Sequence, residues 1–382
     1  MIPPLRLERL ALTQFRNYAA LTWRPDAAVV ALSGANGSGK TNLLEAISLL
    51  VPGRGLRGAK VAELARQAAG ADGRWGVAGQ FATPAGAADV GTGSAPDGPA
   101  DRRVFRLDGG APRSQAALAD RIAAVWLTPQ MDRIFQEGAS ARRRFLDRLV
   151  YALEPGHARE IAAHDTALAS RNRLLANGDA DPAWLAGVED AVARHAVAAT
   201  AARMQLVARL EAALQAGGAE PFPAARLGLV SPVADMLRQM PALAVEDWLR
   251  RSLAASRGGD AAAGSASLGA HRADMTLADA ATGLPAAQAS TGQQKALLIG
   301  VVLGHAALLA AQRGAAPLLL LDEPAVHLDA ARREALFAAL LRLPAQVFLT
   351  GADAAVFAPL RGHAAGFVVG GGALAPDPEL PG

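Results

Sequence analysis

Gly34-Ala35-Asn36-Gly37-Ser38-Gly39-Lys40-Thr41 fits the pattern G-x-x-x-x-G-K-[ST]. In that pattern glycines let successive backbone N–H groups turn inward around phosphate oxygens, a lysine reaches the β- and γ-phosphates, and a hydroxyl ligates Mg2+. Lys40 and Thr41 hold the two side-chain positions. The surroundings suit it. Ala28–Ser33 (AVVALS) reads as a buried strand, and Asn42–Leu50 (NLLEAISLL) as a helix with apolar spacing. A helix N-terminus facing the loop adds free N–H groups and the positive end of its dipole. A glycine-rich turn that binds nothing is the bland alternative. Lysine occurs only at positions 40, 60 and 295, so one falling here by chance is rare. The stretch is read as a nucleoside-triphosphate site.

Farther along, 250 positions after Lys40, Ser290-Thr291-Gly292-Gln293-Gln294-Lys295 precedes an apolar helix, Ala296–Ala311. Pro317–Leu321 (PLLLL) then reads as a continuous apolar strand ending in Asp322-Glu323. An apolar strand delivering acids to its C-terminal edge is the Walker B arrangement. Asp322 would hold the Mg2+ shell, and Glu323 would polarise the attacking water as general base. Alone, such a strand is weak evidence, because Asp-Glu endings arise easily. Behind a phosphate loop and a serine–glycine helix start it becomes strong. A helix over Ala330–Leu341 and a core strand over Gln346–Thr350 follow.

Ahead of the loop, Leu5–Phe15 alternates as a strand would, and Phe15-Arg16-Asn17-Tyr18 opens a second one over Tyr18–Trp23. Such a start predicts an antiparallel piece laid beside a parallel nucleotide-binding sheet. Pro52–Gly58 (PGRGLRG) reads equally as a phosphate contact or a connector. Trp75–Ala82, Arg103–Leu107 and Ala123–Thr128 read as strands, with Ala85–Asp101 between the first two as a low-complexity, mobile surface loop. A helix starts near Ser140, its expected N-cap, and carries Arg142, Arg143 and Arg144 in one turn. The ordinary reading of that triplet is a solvated basic face; a DNA or phosphate contact is the sharper one. From Glu154 to about Gly217 the chain is alanine-rich with helical period and suits a helical hairpin rather than a long coiled coil. A short strand over Arg226–Val230, a helix over Ala242–Ala255 and a loose connector over Arg257–Ser267 complete the middle.

At 382 residues the chain can bury a sizeable core and divide into two lobes. Without cysteine, disulfides and thiolate metal sites are excluded, which fits a cytoplasmic, reducing setting. No signal-type segment opens the chain, and the apolar run Ala296–Ala311, interrupted by His305, falls short of a bilayer span. The net charge of +3 is nearly all arginine against acid, weak evidence for nucleic acid by itself.

The spacing of phosphate loop, serine–glycine start and Walker B strand resembles ABC-type ATPases. More narrowly, FRNY (15–18), GANGSGKTNLLEAI (34–47), TPQMDRIFQEGASARRRFLD (128–147), ALASRNRLL (167–175), GAHRADM (269–275) and STGQQK (290–295) resemble the RecF family of bacterial recombination-mediator ATPases, relatives of the SMC proteins. The likeness runs from residue 5 to about 370. It implies an α/β, P-loop ABC-type ATPase lobe, a mixed sheet with flanking helices, plus a mostly helical arm. The expected division is 1–128 for the first part of the ATPase lobe, 129–268 for the arm, 269–372 for the rest of the lobe and 373–382 for a tail. ATP and Mg2+ are the implied cofactors. An ATP-dependent homodimer, DNA, RecR and RecO are the implied partners, with RecA loading at single-stranded gaps as the outcome. Ser290, Gly292 and Gln293 would act in trans on nucleotide held by the other copy, and Asp329 would lie in the segment that crosses the interface. Gln130 falls where the family senses γ-phosphate and Mg2+, and Arg16 and Asn17 would lie near the nucleotide. The His271-Arg272 pair is a family mark without an assigned role.

Three departures stand out. Glu323-Pro324 replaces the paired aspartates common in the family, Thr291 replaces the glycine of transporter ATPases, and Thr350-Gly351 occupies the place of their switch histidine. Slow, timer-like hydrolysis is therefore expected. A transporter ATPase subunit lacks so long a helical insertion, and an SMC-like structural protein separates the same motifs by far longer coiled coils. A module that binds nucleotide without hydrolysing it is told apart by Glu323→Gln, which should trap a dimer with ATP if Glu323 is the base and change nothing otherwise.

Overall fold

The computed structural model describes residues 5–67, 72–97, 99–178 and 181–381; position 98 of the Ala85–Asp101 segment and Gly382 of the expected tail lie outside them. Contacts divide the chain into one unit of Met1–Asp132, Ala216–Ala224 and Ser290–Gly382, and a second of Arg133–Gln215 and Ala225–Ala289.

The first unit begins with a hairpin, β1 (Arg6–Phe15) and β2 (Tyr18–Trp23), whose turn puts Arg16 at φ 52. The fully buried β3 (Val29–Ser33) runs into the phosphate loop and α1 (Lys40–Leu49). A short α2 (Val61–Leu64) precedes β4 (Gly76–Thr83), β5 (Gly86–Ser94) and β6 (Arg103–Leu107). These complete a five-stranded antiparallel sheet in the order β2-β1-β4-β5-β6. Here the expectation for Ala85–Asp101 fails: most of the supposed mobile loop is β5. Its glycines and alanines carry little strand propensity, but ladders to β4 on one side and β6 on the other satisfy its backbone. At Gly93 an added Cβ would lie 2.5 Å from the Trp75 carbonyl, so the small residue is what the close approach requires. Then α3 (Gln115–Arg121) leads to the buried β7 (Ala124–Leu127).

The second unit is mostly helical. It opens with α4 (Ala139–Leu153), capped by Gly138 rather than Ser140, whose hydroxyl instead accepts from Arg144 at 2.9 Å. Next come α5 (His157–Asn177) and α6 (Pro182–Ala213), the expected hairpin. Gly178 ends α5 in the left-handed conformation, and the Asp181 carboxylate accepts from Ala183 N–H at the start of α6, with Pro182 in its first turn. Afterwards β8 (Ala225–Val230), α7 (Pro232–Leu237), α8 (Ala242–Ala255), α9 (Arg257–Ala263) and β9 (Asp274–Asp279) follow. Val192, Ala196, Val233, Val245, Leu249 and Leu253 form its apolar core.

Two buried ionic networks hold that unit. Arg171 donates to Glu189 at 3.1 Å, Asp260 at 2.8 Å and the Leu253 carbonyl at 2.7 Å. Arg203 grips Asp147 through two bonds of 2.8 and 2.9 Å and donates to the Ala270 carbonyl, while His157 bonds the same carboxylate at 2.8 Å. Burial alone would raise the Asp147 carboxyl, but His157 and Arg203 outweigh it and hold the group below the usual carboxylate range. Removing one partner from such a network costs about 3–5 kcal/mol, because a charge is left buried and unpaired. The first network also explains why Arg257–Ser267 is not a loose connector. Asp260 is buried, accepts from Arg171 and Ser256, and so orders α9 around itself.

The chain returns to the first unit with α10 (Thr291–Arg313), β10 (Leu318–Leu321), α11 (Ala330–Arg342), β11 (Val347–Gly351), β12 (Ala365–Gly370) and β13 (Ala373–Pro381). The six-stranded sheet runs β13-β12-β3-β11-β10-β7, parallel except for β13. The described part of the expected tail, Ala373–Pro381, is thus an edge strand, a position that tolerates its prolines. Among the described residues α10 is the one helix long and apolar enough to cross a membrane, yet 78% of that window is buried inside the fold. Gln346 joins the two sheets. Its buried amide exchanges bonds with Leu7 N–H and C=O and donates to the carbonyls of Pro25 and Ala27.

The sequence-based boundaries at 128/129 and 268/269 differ from the contact boundaries at 132/133 and 289/290. Residues 274–279 form β9, which pairs along its whole length with β8 and keeps that segment in the helical unit.

Candidate functional site

Parallel pairing of β3, β11, β10 and β7 brings their C-terminal ends to one sheet edge, with Ser33, Gly351, Leu321 and Leu127 in adjoining registers. The phosphate loop leaves β3 there, Asp322 follows β10, and Gln130 lies three residues past β7 in a 3-10 turn, Pro129–Arg133. Ligands of open α/β sheets bind at such an edge.

The loop itself is braced from outside. Gly39 has φ 112, and a Cβ there would meet the Asn17 amide and the Tyr18 hydroxyl at under 3 Å. Only glycine lets those two side chains reach the backbone. Asn17 donates to the Ser38 carbonyl at 3.1 Å, Tyr18 donates to the Gly39 carbonyl at 3.1 Å, and Asn42 donates to Asn17 Oδ1 at 2.7 Å. Burial pushes the Tyr18 hydroxyl pKa well up, more than its bond to Asn17 lowers it, so it stays a donor. Gly34, at φ 144, lies against the Val369 carbonyl of β12, which any Cβ would strike. No side chain caps α1 and its first turn holds no acid, which leaves the positive end of its dipole to an anion. Lys40, nearly buried, donates to the carbonyls of Gly34 at 2.6 Å and Ala35 at 3.0 Å.

Across from the loop, the Thr41 hydroxyl donates to Asp322 Oδ1 at 2.9 Å, and the Thr350 hydroxyl donates to the same oxygen at 2.7 Å. Thr350 Oγ1 also accepts from the Glu323 N–H at 2.9 Å. A hydroxyl beside a carboxylate is a hard oxygen pair that fits Mg2+, which takes one or two protein oxygens plus phosphate and water. No cluster of three or more His, Cys, Asp or Glu that could hold a metal ion occurs among the described residues. Glu323 is partly exposed and its backbone has φ 50, a strained conformation for a glutamate. Gln130 is exposed at the same edge.

Arg16, expected near the nucleotide, is bonded to the helix that follows the phosphate loop. Its guanidinium makes two bonds of 2.8 Å to Glu45 on α1 and a third to the Glu63 carbonyl. Arg57, from the Pro52–Gly58 loop, bonds the same Glu45 and the Asn42 side chain. Both arginines therefore steady α1 and, through Asn42 and Asn17, the loop. In the helical unit, Arg142 pairs with Asp274 and Arg143 donates to the Ala273 carbonyl, so only Arg144 of the triplet is exposed. His271 and Arg272 both bond the Ala266 carbonyl.

The serine–glycine start is a capping box. Ser290 Oγ accepts from Gln293 N–H, and Gln293 Oε1 accepts from Ser290 N–H at 2.9 Å. Ser290, Thr291 and Gln293 are exposed, and a Cβ on Gly292 would sit 3.3 Å from the His327 carbonyl. Asp329, also exposed, caps α11 through Arg332 N–H.

Sequence reasoning missed Thr350, Tyr18 and Asn42 as parts of this site, as well as the buried pair Asp132–Lys295 at 3.0 Å. Lys295 alone carried a usable signal, a charge set into an otherwise apolar helix.

A family model, "AAA domain, putative AbiEii toxin, Type IV TA system", matches residues 112–351, beginning after the phosphate loop and including the Walker B strand. The chain is 45% identical over 375 residues to the DNA replication and repair protein RecF of Mesorhizobium japonicum, covering 98% of both chains. Among solved structures it resembles that of the recombination mediator protein RecF-ATPrS in the RecFOR pathway, at TM-score 0.85 and 22% identity over 98% of each chain. A more distant likeness, at TM-score 0.51 and 15% identity, covering 98% of this chain and 96% of that one, is to the Smc head domain with an extended coiled coil from Pyrococcus furiosus.

Proposed function

Because the chain belongs to the RecF family of DNA replication and repair proteins, with the fold of an ABC-type ATPase, we propose that it is an ATP-gated DNA clamp. Two copies close on two ATP molecules, DNA binds across the closed dimer, and slow hydrolysis releases it. In the cytoplasm the released and reloaded clamp would act with RecR and RecO to help load RecA at single-strand gaps, the role that family membership implies.

The observation that carries this reading is the meeting of Thr41 and Asp322 at 2.9 Å, although 281 positions separate them. In the proposed mechanism the backbone from Gly34 to Gly39 and Lys40 cradle the phosphates, and Lys40 leaves the Gly34 and Ala35 carbonyls for phosphate oxygens. Thr41 and Asp322 would hold Mg2+, which would supply charge neutralisation for the phosphates. Gln130 orients the γ-phosphate end. Glu323 takes the proton of the attacking water while Thr350 holds its peptide in place. Ser290, Gly292 and Gln293 close over the γ-phosphate held by the other copy, and Asp329 lines the same interface. Phosphoryl transfer to water asks for positioning and charge neutralisation more than covalent chemistry, which suits so preorganised an edge.

The test is Glu323→Gln. The substitution keeps size and hydrogen-bonding while removing the base, so hydrolysis should fall about 100-fold or more and Mg-ATP should hold a stable dimer in light scattering. A variant that hydrolyses at the wild-type rate, or stays monomeric with saturating Mg-ATP, would refute the assignment.

A further inference from the structure

Lys295 lies in the first turns of α10 and is 1% exposed. Its ammonium donates to Asp132 Oδ2 at 3.0 Å and to the Glu323 backbone carbonyl at 3.1 Å. The second contact is the telling one. Glu323 has φ 50, which a non-glycine residue keeps only where its surroundings impose it. Its N–H is held by Thr350, and its C=O by Lys295 and, at 3.3 Å, by the Val326 N–H, so both backbone polar groups are pinned and the direction of its side chain follows.

The ion pair is also poorly built for stability. Asp132 Oδ1 is buried with no hydrogen-bond partner among the described residues. A buried pair that is only partly satisfied gains little over an apolar replacement. Holding geometry accounts for it better. Asp132 belongs to the same 3-10 turn as Gln130, and the helix carrying Lys295 starts at Ser290. One ammonium therefore ties together three segments: the Gln130 turn, the Glu323 peptide and the serine–glycine helix.

We propose that Lys295 is a positioning residue for hydrolysis, setting Glu323 and the Gln130 turn in register with the helix that begins at Ser290. The proposal rests on Glu323 being the base. Engagement of the Ser290 end by nucleotide would then reach the base through a single side chain, so that the water is activated only when the helix start is seated.

The experiment compares wild type with Lys295→Met/Asp132→Leu, which removes both charges and leaves no lone buried ion. A second pair, Lys295→Gln/Asp132→Asn, keeps a polar couple but is too short to grip the Glu323 carbonyl, and serves if the first does not fold. In the folded double variant the affinity for ATP should stay within about threefold while kcat falls about 30-fold, the pattern of lost positioning rather than lost binding. Amide hydrogen exchange across 322–328, measured without turnover, should rise about tenfold with α1 unchanged. An unchanged kcat, or unchanged exchange, in a folded double variant overturns the proposal. Should Glu323→Gln hydrolyse normally, the base assignment fails separately, and the exchange measurement still decides whether Lys295 holds the peptide.

Discussion

At the residue scale the least conspicuous side chain of the site is Thr350. In a buried strand it reads as one more β-branched core residue, yet its hydroxyl donates to Asp322 Oδ1 and accepts from the Glu323 N–H. A hydroxyl there cannot take up a proton as imidazole does. Thr350→Val keeps the shape, strips both bonds and leaves the Glu323 N–H without its partner. We expect kcat to fall about 10- to 100-fold, the usual cost of losing an orienting partner behind a metal ligand, with ATP affinity nearly unchanged and Thr350→Ser close to wild type. Steady-state hydrolysis over a range of Mg2+ concentrations checks this; equal loss in Thr350→Ser would point to packing instead. Lys40, Thr41 and Asp322 were legible because a strand–loop–helix and a strand end dictate their places locally. Thr350, Tyr18 and Asn42 were not, since their roles arise only when β3, β10 and β11 lie side by side. Arg16 and Asn17 show the same limit. Being near the loop was readable, but that Arg16 serves α1 through Glu45 was not.

At the element scale, period and apolar runs carried most of the fold: the buried strands β3, β7, β10 and β11, the hairpin α5–α6 and the helix α10 all follow from pattern. The misses share a cause. Gly86–Ser94 and Arg257–Ala263 have glycine- and alanine-rich sequences without a pattern of their own, and partners distant in sequence order them: two ladders for β5, and Arg171 for α9. Pairing with β8 likewise decides where residues 274–279 belong. The helical unit has a pH signature at one such distant contact. Burial holds the His271 imidazole down from 6.5 to about 4; the Ala266 carbonyl opposes this, while His164, Arg272 and Arg143 reinforce it. The sign follows directly. Between pH 6.5 and 4 the unfolded chain takes up a proton that the folded one refuses, so stability is full above about 6.5 and declines as pH falls toward 4. Asp147, held below its ordinary value of 3.8, acts only at more acid pH. Urea unfolding at pH 7.5, 5.5 and 4.5 should therefore show a shallower decline for His271→Phe than for wild type. Parallel declines would remove His271 from the account.

At the scale of the whole molecule the question is how much positive charge is available to DNA. The 38 lysines and arginines overstate it. Arg16, Arg142, Arg143, Arg171 and Arg203 are engaged with carboxylates or carbonyls of the chain itself, and Lys40 and Lys295 are buried. With a net charge of only +3, one copy should bind duplex weakly. Pairing two copies doubles the phosphate contacts that act together, and an ATP-closed dimer is where that pairing is proposed to occur. DNA affinity should therefore depend on nucleotide and on salt in the same experiment. With Mg-ATP, six phosphate contacts across a dimer predict a slope of about −5 in log K against log salt, a loss of roughly a thousandfold between 50 and 200 mM. With ADP, or in Lys40→Ala, the slope should drop to about half, the share of a single copy, and the affinity should fall by orders of magnitude, because contacts add in free energy. Fluorescence anisotropy on gapped duplex, with light scattering on the same samples, reads both quantities. A steep slope that persists unchanged in Lys40→Ala would mean that DNA is held by a surface already complete on one copy. Nucleotide would then have no part in closing the clamp.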